Sequence, residues 1–394
     1  MSTLQNAIYM DHHASAPLCE AAKSVIERWL RSGPGNPSSI HGSGQHARHA
    51  LDLARRQVAA AVGAAPRQVL FTSGATEANH SALRGLIGEA VGVIWMSAGA
   101  HASAHTAANR LVEDAPGWQL RTLGLTPHGV VDMEAVAHEL SREAGAPDAC
   151  HIVSLSLVNS ELGTIQPVAA VAAAFRAVHD HVIVHCDATQ ALGRIAVDRA
   201  DLAADLLTLS GHKIGTPAGI GALITRDGLV LHPLTPGPQE DGRRAGTENL
   251  VGAMTLGAAC AALPERRAAM AKVREQRDAL WAGIEALAWP TRRHAADADE
   301  TGTCLSVAFL GCEASDLVMS LDMEGVAVSA GAACSSGTVD ASPVISAIVD
   351  DSEVDVALAT VRFSLGPETV APDIQGTLTA LRCVLSRMQA PDSL

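Results

Sequence analysis

The chain has 394 residues, of which 48% are hydrophobic and 18% charged, and its formal net charge is −14. This acidity argues against a nucleic-acid backbone as the main ligand, and no uninterrupted apolar window reaches the ~18 residues of a membrane span. We expect no direct nucleic-acid or membrane partner and, because the first residues lack a secretory-signal pattern, a cytoplasmic location. The length favours one large domain with a smaller one.

Short apolar runs alternate with helix-length segments between about residues 43 and 275. This alternation predicts βαβ crossovers and a mainly parallel sheet, in a large α/β domain over residues 15–250. Several runs end in small or polar residues, where open α/β sheets bind their ligands. The runs are QVLFTSG, VGVIWMS, HIVSLSLVN, VIVHCDA, LLTLSGH and IGALIT.

Beyond about residue 251 the pattern changes to Ala-, Arg- and Glu-rich helical stretches, followed by the strand candidates CLSVAFLG, VAVSAG and VRFSLG. We assign residues 251–394 to a smaller α+β domain. Residues 1–14 are strand-like but too short to fold alone, so we expect them to join this smaller domain.

Two strand ends carry polar groups suited to a phosphorylated heterocycle. Gly74, Ala75 and Thr76 open a helical pattern, where free N–H groups bind anions, although an ordinary helix cap fits as well. Asp187 and Gln190 follow the run VIVHC. The carboxylate can hold a protonated ring nitrogen and the amide an adjacent oxygen, whereas a turn-initiating aspartate is the alternative.

Lys213 is one of only three lysines and ends an apolar run together with Ser210 and His212. A lysine buried at a strand end has a depressed pKa and can form a Schiff base. Lys23 and Lys272 instead stand in amphipathic helical patterns typical of solvated faces. An anion cradle, an aspartate and a strand-end lysine together indicate a pyridoxal phosphate site.

Segments spanning nearly the whole chain make it resemble a cysteine desulfurase of the NifS/IscS-like group. The resemblance implies the type I fold of pyridoxal-phosphate enzymes, with a mainly parallel seven-stranded sheet in the larger domain. The segments are IYMDHHASAP, GNPSSIHGSGQHAR, FTSGATEAN, VNSELGTIQPV, HCDATQALG, SGHK, RRAGTEN, SAGAACSSG and VRFSLG.

The resemblance also assigns cofactor-binding residues. It implies that Lys213 carries the cofactor, that Asp187 partners the pyridine nitrogen and that Gln190 bonds the ring hydroxyl. Ser160 stands where the family usually has an asparagine that contacts the cofactor. The expected phosphate cradle is formed by Ala75, Thr76, Ser210 and His212, with Thr247 reaching in from a second subunit, so that the site requires a homodimer.

Catalytic and substrate-binding roles follow from the same resemblance. It implies that His101 stacks on the cofactor ring and transfers protons, that Arg362 binds the substrate carboxylate, and that Asn159 also contacts the substrate. Cys334 matches the sulfur-accepting nucleophile, in a loop over about residues 329–342. Small residues surround this cysteine, and such a sequence favours a mobile loop.

The implied reaction converts L-cysteine to L-alanine and leaves the sulfur as a persulfide on Cys334. An unidentified acceptor protein would collect it for an iron–sulfur cluster, a thio-cofactor, a thio-nucleic acid or another sulfur-containing product. Two alternatives stay open. One is selenocysteine lyase or cysteine C–S lyase chemistry on the same fold, and the other is an inactive scaffold that binds a sulfur-handling partner.

Overall fold

The structure, a computed structural model, describes residues 8–86, 88, 91–143, 149–330 and 341–389. Its strands are β1 (Ile8–Tyr9), β2 (Val69–Thr72), β3 (Gly92–Ser97), β4 (Trp118–Leu123), β5 (Cys150–Ser156), β6 (Val182–Asp187), β7 (Leu206–Ser210), β8 (Gly221–Thr225), β9 (Thr291–Arg293), β10 (Cys304–Phe309), β11 (Val326–Ala327), β12 (Ser329–Ala330) and β13 (Thr360–Ser364).

Helices connect most of these strands, and short 3₁₀ turns lie at Pro66–Gln68, Gln239–Gly242 and Asp351–Glu353. The helices are α1 (Glu20–Arg31), α2 (Gly42–Ala61), α3 (Ala75–Arg84), α4 (Ala102–Asp114), α5 (Met133–Glu143), α6 (Val168–Arg176), α7 (Leu250–Ala261), α8 (Leu263–Ala268), α9 (Met270–Glu285), α10 (Ala314–Met323), α11 (Pro343–Ser346), α12 (Val354–Leu358) and α13 (Ala371–Gln389).

A seven-stranded sheet in the order β2-β8-β7-β6-β5-β3-β4 forms the larger layer. Strand β8 runs antiparallel to both of its neighbours, and the other neighbouring pairs are parallel. The predicted mainly parallel sheet is therefore confirmed, including all six apolar runs. The apolar pattern missed β4, because this edge strand buries only its first and last residues.

Helices cover both faces of the large sheet. Trp95 of β3 and Val184 of β6 pack in a cluster with α2, α6 and α7, whereas their neighbours Ile94 and Ile183 pack with α3 and α4. Burial on both faces explains why these strands are almost continuously apolar in sequence. It also leaves the carboxyl ends of the parallel strands as the place where polar groups can meet.

A second sheet has the antiparallel order β12-β13-β10-β9 and is covered by α9, α10 and α13. Strand β1 pairs in parallel with β11, so the N-terminal strand contacts the C-terminal part of the chain. The domain boundary at residue 250 stays a prediction. Across the ranges that the structure describes, none of the helices has the length and apolarity needed to cross a membrane.

A buried ion pair fastens the 239–242 turn to the edge of the large sheet. The two terminal guanidinium nitrogens of Arg55 donate to the Glu240 carboxylate, at 2.8 and 2.6 Å. The Phe71 N–H donates to the same carboxylate at 3.0 Å. The side chains of Arg55 and Glu240 are only 14% and 1% exposed. Removing the cation would leave a buried carboxylate without its counter-charge.

We predict that Arg55→Met lowers the free energy of unfolding by about 3 kcal/mol, because one partner of a buried pair is stranded. Urea denaturation followed by circular dichroism measures the change. The matched control is Arg67→Met, which removes an exposed pair with Asp227 and should have far less effect. Equal effects of the two substitutions would contradict the prediction.

Candidate active site

A cavity of about 940 Å³ lies at the carboxyl ends of β5, β6 and β7, beside the start of α3. Most of the predicted site residues line it, although they come from distant parts of the sequence. The predicted residues in the cavity wall are Ala75, Thr76, His101, Ser160, Asp187, Gln190, Ser210, His212, Lys213 and Arg362.

Lys213 lies at the base of the cavity, three residues after β7 ends. Its Nζ donates hydrogen bonds to the carbonyl oxygens of His13 and Ala14, at 2.5 and 2.9 Å. Burial lowers the pKa of Lys213 to about 8, and the positive charges of Arg194 and Arg362 act in the same direction. A substantial fraction of this amine is therefore neutral near physiological pH, as a nucleophile or base requires.

Asp187 and Gln190 are buried on the wall of the cavity. The Asp187 carboxylate accepts hydrogen bonds from the Asn79 side-chain amide at 3.0 Å and from the Thr189 N–H at 2.9 Å. Gln190 Nε2 donates to the His13 carbonyl at 2.9 Å. Gln190 Oε1 is buried and has no hydrogen-bond partner within the described ranges, so an acceptor remains for a ligand.

The start of α3 offers donors to an anion. Gly74 precedes the helix and no side-chain hydrogen bond caps it, so the first N–H groups, including those of Ala75 and Thr76, face the cavity without a side-chain acceptor. His212, on the same cavity wall, approaches Ser15 Oγ at 3.3 Å. Burial and the nearby Lys213 charge lower the pKa of His212 to about 4, so its ring is neutral.

His101 caps the N-terminus of α4 and lines the cavity. Its Nδ1 accepts the Ser103 N–H at 3.1 Å and lies 2.8 Å from Ser103 Oγ. These contacts fix the ring through Nδ1. Nε2 is therefore the nitrogen that can exchange a proton with a ligand in the cavity.

Arg362 projects from the middle strand β13 and is almost fully buried, which excludes a surface role. Its two terminal nitrogens donate to the Ser160 carbonyl at 3.1 Å and to Asp11 Oδ1 at 2.8 Å. His13 Nδ1 lies 3.0 Å from the same Ser160 carbonyl. The backbone carbonyl of Ser160 thus orients the guanidinium, and this contact does not depend on the side chain at position 160.

Two of the predicted residues, Asn159 and Thr247, are not part of the cavity wall. Asn159 is buried outside the cavity wall, where its side chain bonds the Gly99 carbonyl and the Glu161 and Leu162 N–H groups. This geometry does not support its predicted substrate contact, because it holds a turn instead. Thr247 is exposed and does not line this cavity, and Cys334 lies outside the described residues.

Sequence reasoning missed several groups around the cavity. His13 and Glu161 line it, and Asp11 holds Arg362. All three stand in the quoted segments IYMDHHASAP and VNSELGTIQPV. Their ionisable side chains inside these motifs were the signal that could have identified them as site residues. Burial raises the pKa of Glu161 to about 7, although the Ser342 hydroxyl donates a hydrogen bond to its carboxylate.

Comparison with known proteins places this chain in a family. Residues 8–376 match the aminotransferase class-V family, and the chain belongs to it. At 36% identity, 97% of the chain aligns with 97% of a cysteine desulfurase from Cereibacter sphaeroides.

Solved structures agree with this assignment. A NifS-like protein from Rickettsia africae superposes with a TM-score of 0.85 at 25% identity, covering 97% of this chain and 100% of that one. A structure described as SspA in complex with cysteine gives a TM-score of 0.76 at 29% identity, over 92% of this chain and 99% of that one.

The raised pKa of Glu161 predicts a pH-dependent stability. Between about pH 5 and about pH 7 the folded protein holds a proton that the unfolded chain releases, so the free energy of unfolding should fall as pH rises. Glu161→Gln resembles the protonated form and should become more stable than wild type at pH 8, by up to about 3 kcal/mol.

Urea denaturation of both proteins at pH 5 and pH 8 measures this difference. The exposed Glu113→Gln serves as the control and should follow the wild-type pH profile. If Glu161→Gln also follows it, the carboxyl group does not titrate as described.

Proposed function

We propose that this protein is a pyridoxal-phosphate-dependent cysteine desulfurase, which converts L-cysteine to L-alanine and retains the sulfur as a persulfide. The observation that carries the proposal is the convergence of Lys213, Asp187 and Arg362 on one cavity. An amine of lowered pKa, a carboxylate and a guanidinium are the groups that this chemistry requires. The full-length similarity to proteins named cysteine desulfurase supports the same assignment.

The residues present fit the cofactor. Asp187 retains acceptor capacity for a protonated ring nitrogen, and the unpartnered Gln190 Oε1 is available to a ring hydroxyl. The uncapped start of α3, with Thr76, Ser210 and His212, would hold the phosphate, and Lys213 would carry the cofactor covalently. When bound, pyridoxal phosphate supplies an electron-withdrawing ring that acidifies the Cα proton of an amino acid.

Arg362 is suited to the carboxylate of L-cysteine. Its Nε is buried and has no hydrogen-bond partner in the part of the chain described, and its fork is already oriented by Asp11 and the Ser160 carbonyl. A planar guanidinium binds a carboxylate with two parallel hydrogen bonds. The similar solved structure described as SspA in complex with cysteine supports L-cysteine as the substrate.

Proton transfer falls to Lys213 and His101. The lowered pKa of Lys213, caused by burial and neighbouring guanidinium groups, makes its Nζ a base for the Cα proton. His101, fixed at Nδ1, offers Nε2 to a second proton in the cavity. Together they can remove one proton and deliver another within the cavity.

The sulfur step belongs to Cys334. Its thiolate attacks the sulfur of the substrate, the carbon–sulfur bond breaks and a sulfur–sulfur bond forms. The electrons and a proton stay with the carbon skeleton, so L-cysteine and one thiol become L-alanine and one persulfide. The acidic chain favours an acceptor protein with a basic docking face.

The second-subunit role of Thr247 is part of the proposal. Thr247 is exposed and is not among the residues that line the cavity of its own chain, while Arg244, three residues earlier, bonds Glu77 in the first turn of α3. An exposed hydroxyl near this anchor supports a role for Thr247 at a partner's phosphate site. The working unit would then be a homodimer.

We predict that the purified protein, loaded with pyridoxal phosphate, forms L-alanine and sulfide from L-cysteine in the presence of dithiothreitol. Cys334→Ala should abolish both products and the protein-bound persulfide, measured by amino-acid analysis and mass spectrometry. Cys383→Ala, at an exposed cysteine, is the matched control and should retain full activity. Alanine production at the full rate by Cys334→Ala would establish C–S lyase chemistry without a persulfide.

A second prediction concerns the carboxylate contact. Arg362→Lys keeps the positive charge but loses the planar fork, so kcat/KM for L-cysteine should fall by about 10- to 100-fold. The loss should appear mainly as a higher KM, measured by steady-state alanine formation. Unchanged kinetics would remove Arg362 from the substrate site.

A further inference from the structure

A chain of hydrogen bonds, buried at Asn79 and partly buried at His101, joins two groups of the active site that are far apart in sequence. The two hydrogens of Asn79 Nδ2 are directed to Asp187 Oδ2 at 3.0 Å and to Ser103 Oγ at 2.9 Å. Ser103 Oγ lies in turn 2.8 Å from His101 Nδ1. The chain therefore runs from the carboxylate on β6, through α3, to the histidine before α4.

The chemistry of these groups fixes the direction of each bond. An ionised carboxylate only accepts, so the Asn79 amide donates to Asp187 and also donates to Ser103 Oγ. The single hydroxyl hydrogen of Ser103 is then free for His101 Nδ1, which also accepts the Ser103 N–H at 3.1 Å. With two donors aimed at it, Nδ1 carries no hydrogen, so the neutral form of the ring bears its hydrogen on Nε2.

We propose that Ser103 and Asn79 are positioning residues that hold His101 in its Nε2–H tautomer and couple its ring to Asp187. Neither residue is among those that the sequence motifs assign to the site. Both are buried, and Asn79 is 0% exposed, so water has little access to the hydrogen bonds that Asn79 makes. The tautomer follows from geometry alone, whereas its catalytic consequence rests on the proposed function.

A second histidine in the chain shows what Ser103 adds. His41 also caps a helix, α2, through Nδ1, which accepts the Gly44 N–H at 3.3 Å. A serine again stands two residues later, but Ser43 is exposed, and no described hydrogen bond joins its hydroxyl to His41. Of these two capping histidines, only His101, which lines the cavity, has a described hydroxyl bond to its Nδ1.

The test is ¹⁵N NMR of the histidine side chains in the cofactor-free protein, with His101→Gln used to assign the resonance. Wild type should show His101 as the Nε2–H tautomer, and Ser103→Ala should introduce a measurable Nδ1–H population. Ser103→Thr retains the hydroxyl and should restore the wild-type spectrum. Ser43→Ala is the matched control and should leave His101 unchanged.

Kinetics of the loaded enzyme test the consequence. Ser103→Ala should lower kcat for alanine formation about 10-fold with little change in KM, and Ser103→Thr should recover most of it. Asn79→Ala should shift the His101 spectrum as Ser103→Ala does. If Asn79→Ala does not fold because this residue is buried, the comparison of Ser103→Ala with Ser103→Thr still tests the proposal.

Two results would overturn the inference. One is a His101 spectrum in Ser103→Ala identical to wild type, and the other is a shifted tautomer with unchanged kcat, which would make the network only a helix cap. A wild-type protein inactive on L-cysteine would instead refute the proposed function. The NMR comparison would then still decide the tautomer.

Discussion

The active site depends on the backbone carbonyl of His13. This oxygen accepts hydrogen bonds from Lys213 Nζ at 2.5 Å and from Gln190 Nε2 at 2.9 Å, so a single atom orients the amine and the amide. It can do so because residues 8–16 run between the two sheets. Strand β1 pairs with β11, Met10 and His12 bond Ser364 of β13, and the Ala16 N–H donates to the His212 carbonyl. A short N-terminal segment thereby joins the Lys213 loop to the strand that carries Arg362.

Positively charged side chains lie close to one another around Lys213, although the chain as a whole is acidic. The net charge is −14, yet Lys213, Arg194 and Arg362 lie close enough together that the two guanidinium groups lower the pKa of Lys213. Burial lowers the pKa of Arg194 itself to about 9, with nearby Arg266 and Arg362 adding to the effect. Buried cations interact with anions more strongly than exposed cations do. Lys213 and Arg362 both line the cavity, so a phosphate or a carboxylate that enters it meets two cationic side chains.

The sequence predicted those residues of the cavity wall whose chemical role can be inferred from one short segment. Lys213 and Asp187 each end an apolar strand, and that position alone predicts convergence at one sheet edge. The contacts of Asn79 and Ser103 could not be predicted, because they depend on how α3 packs against α4, which no local pattern encodes. Strand β4 escaped detection for a related reason, since half-exposed edge residues do not form an apolar run. Cys334, the clearest signal in the sequence, stays a prediction outside the described residues.

The negative charge of Asp187 is kept available for the cavity by its surroundings. His185, two residues earlier on the same face of β6, is fully buried between Ser154 Oγ at 2.9 Å and Thr208 Oγ1 at 3.1 Å. Burial lowers the pKa of His185, which keeps the imidazole neutral even though the nearby carboxylate favours its protonation. A neutral ring does not neutralise Asp187. Within the described residues, the hydrogen bonds to the carboxylate come from donors that carry no charge, Asn79 and the Thr189 N–H, and the charge of Asp187 favours the protonated form of nearby Lys213.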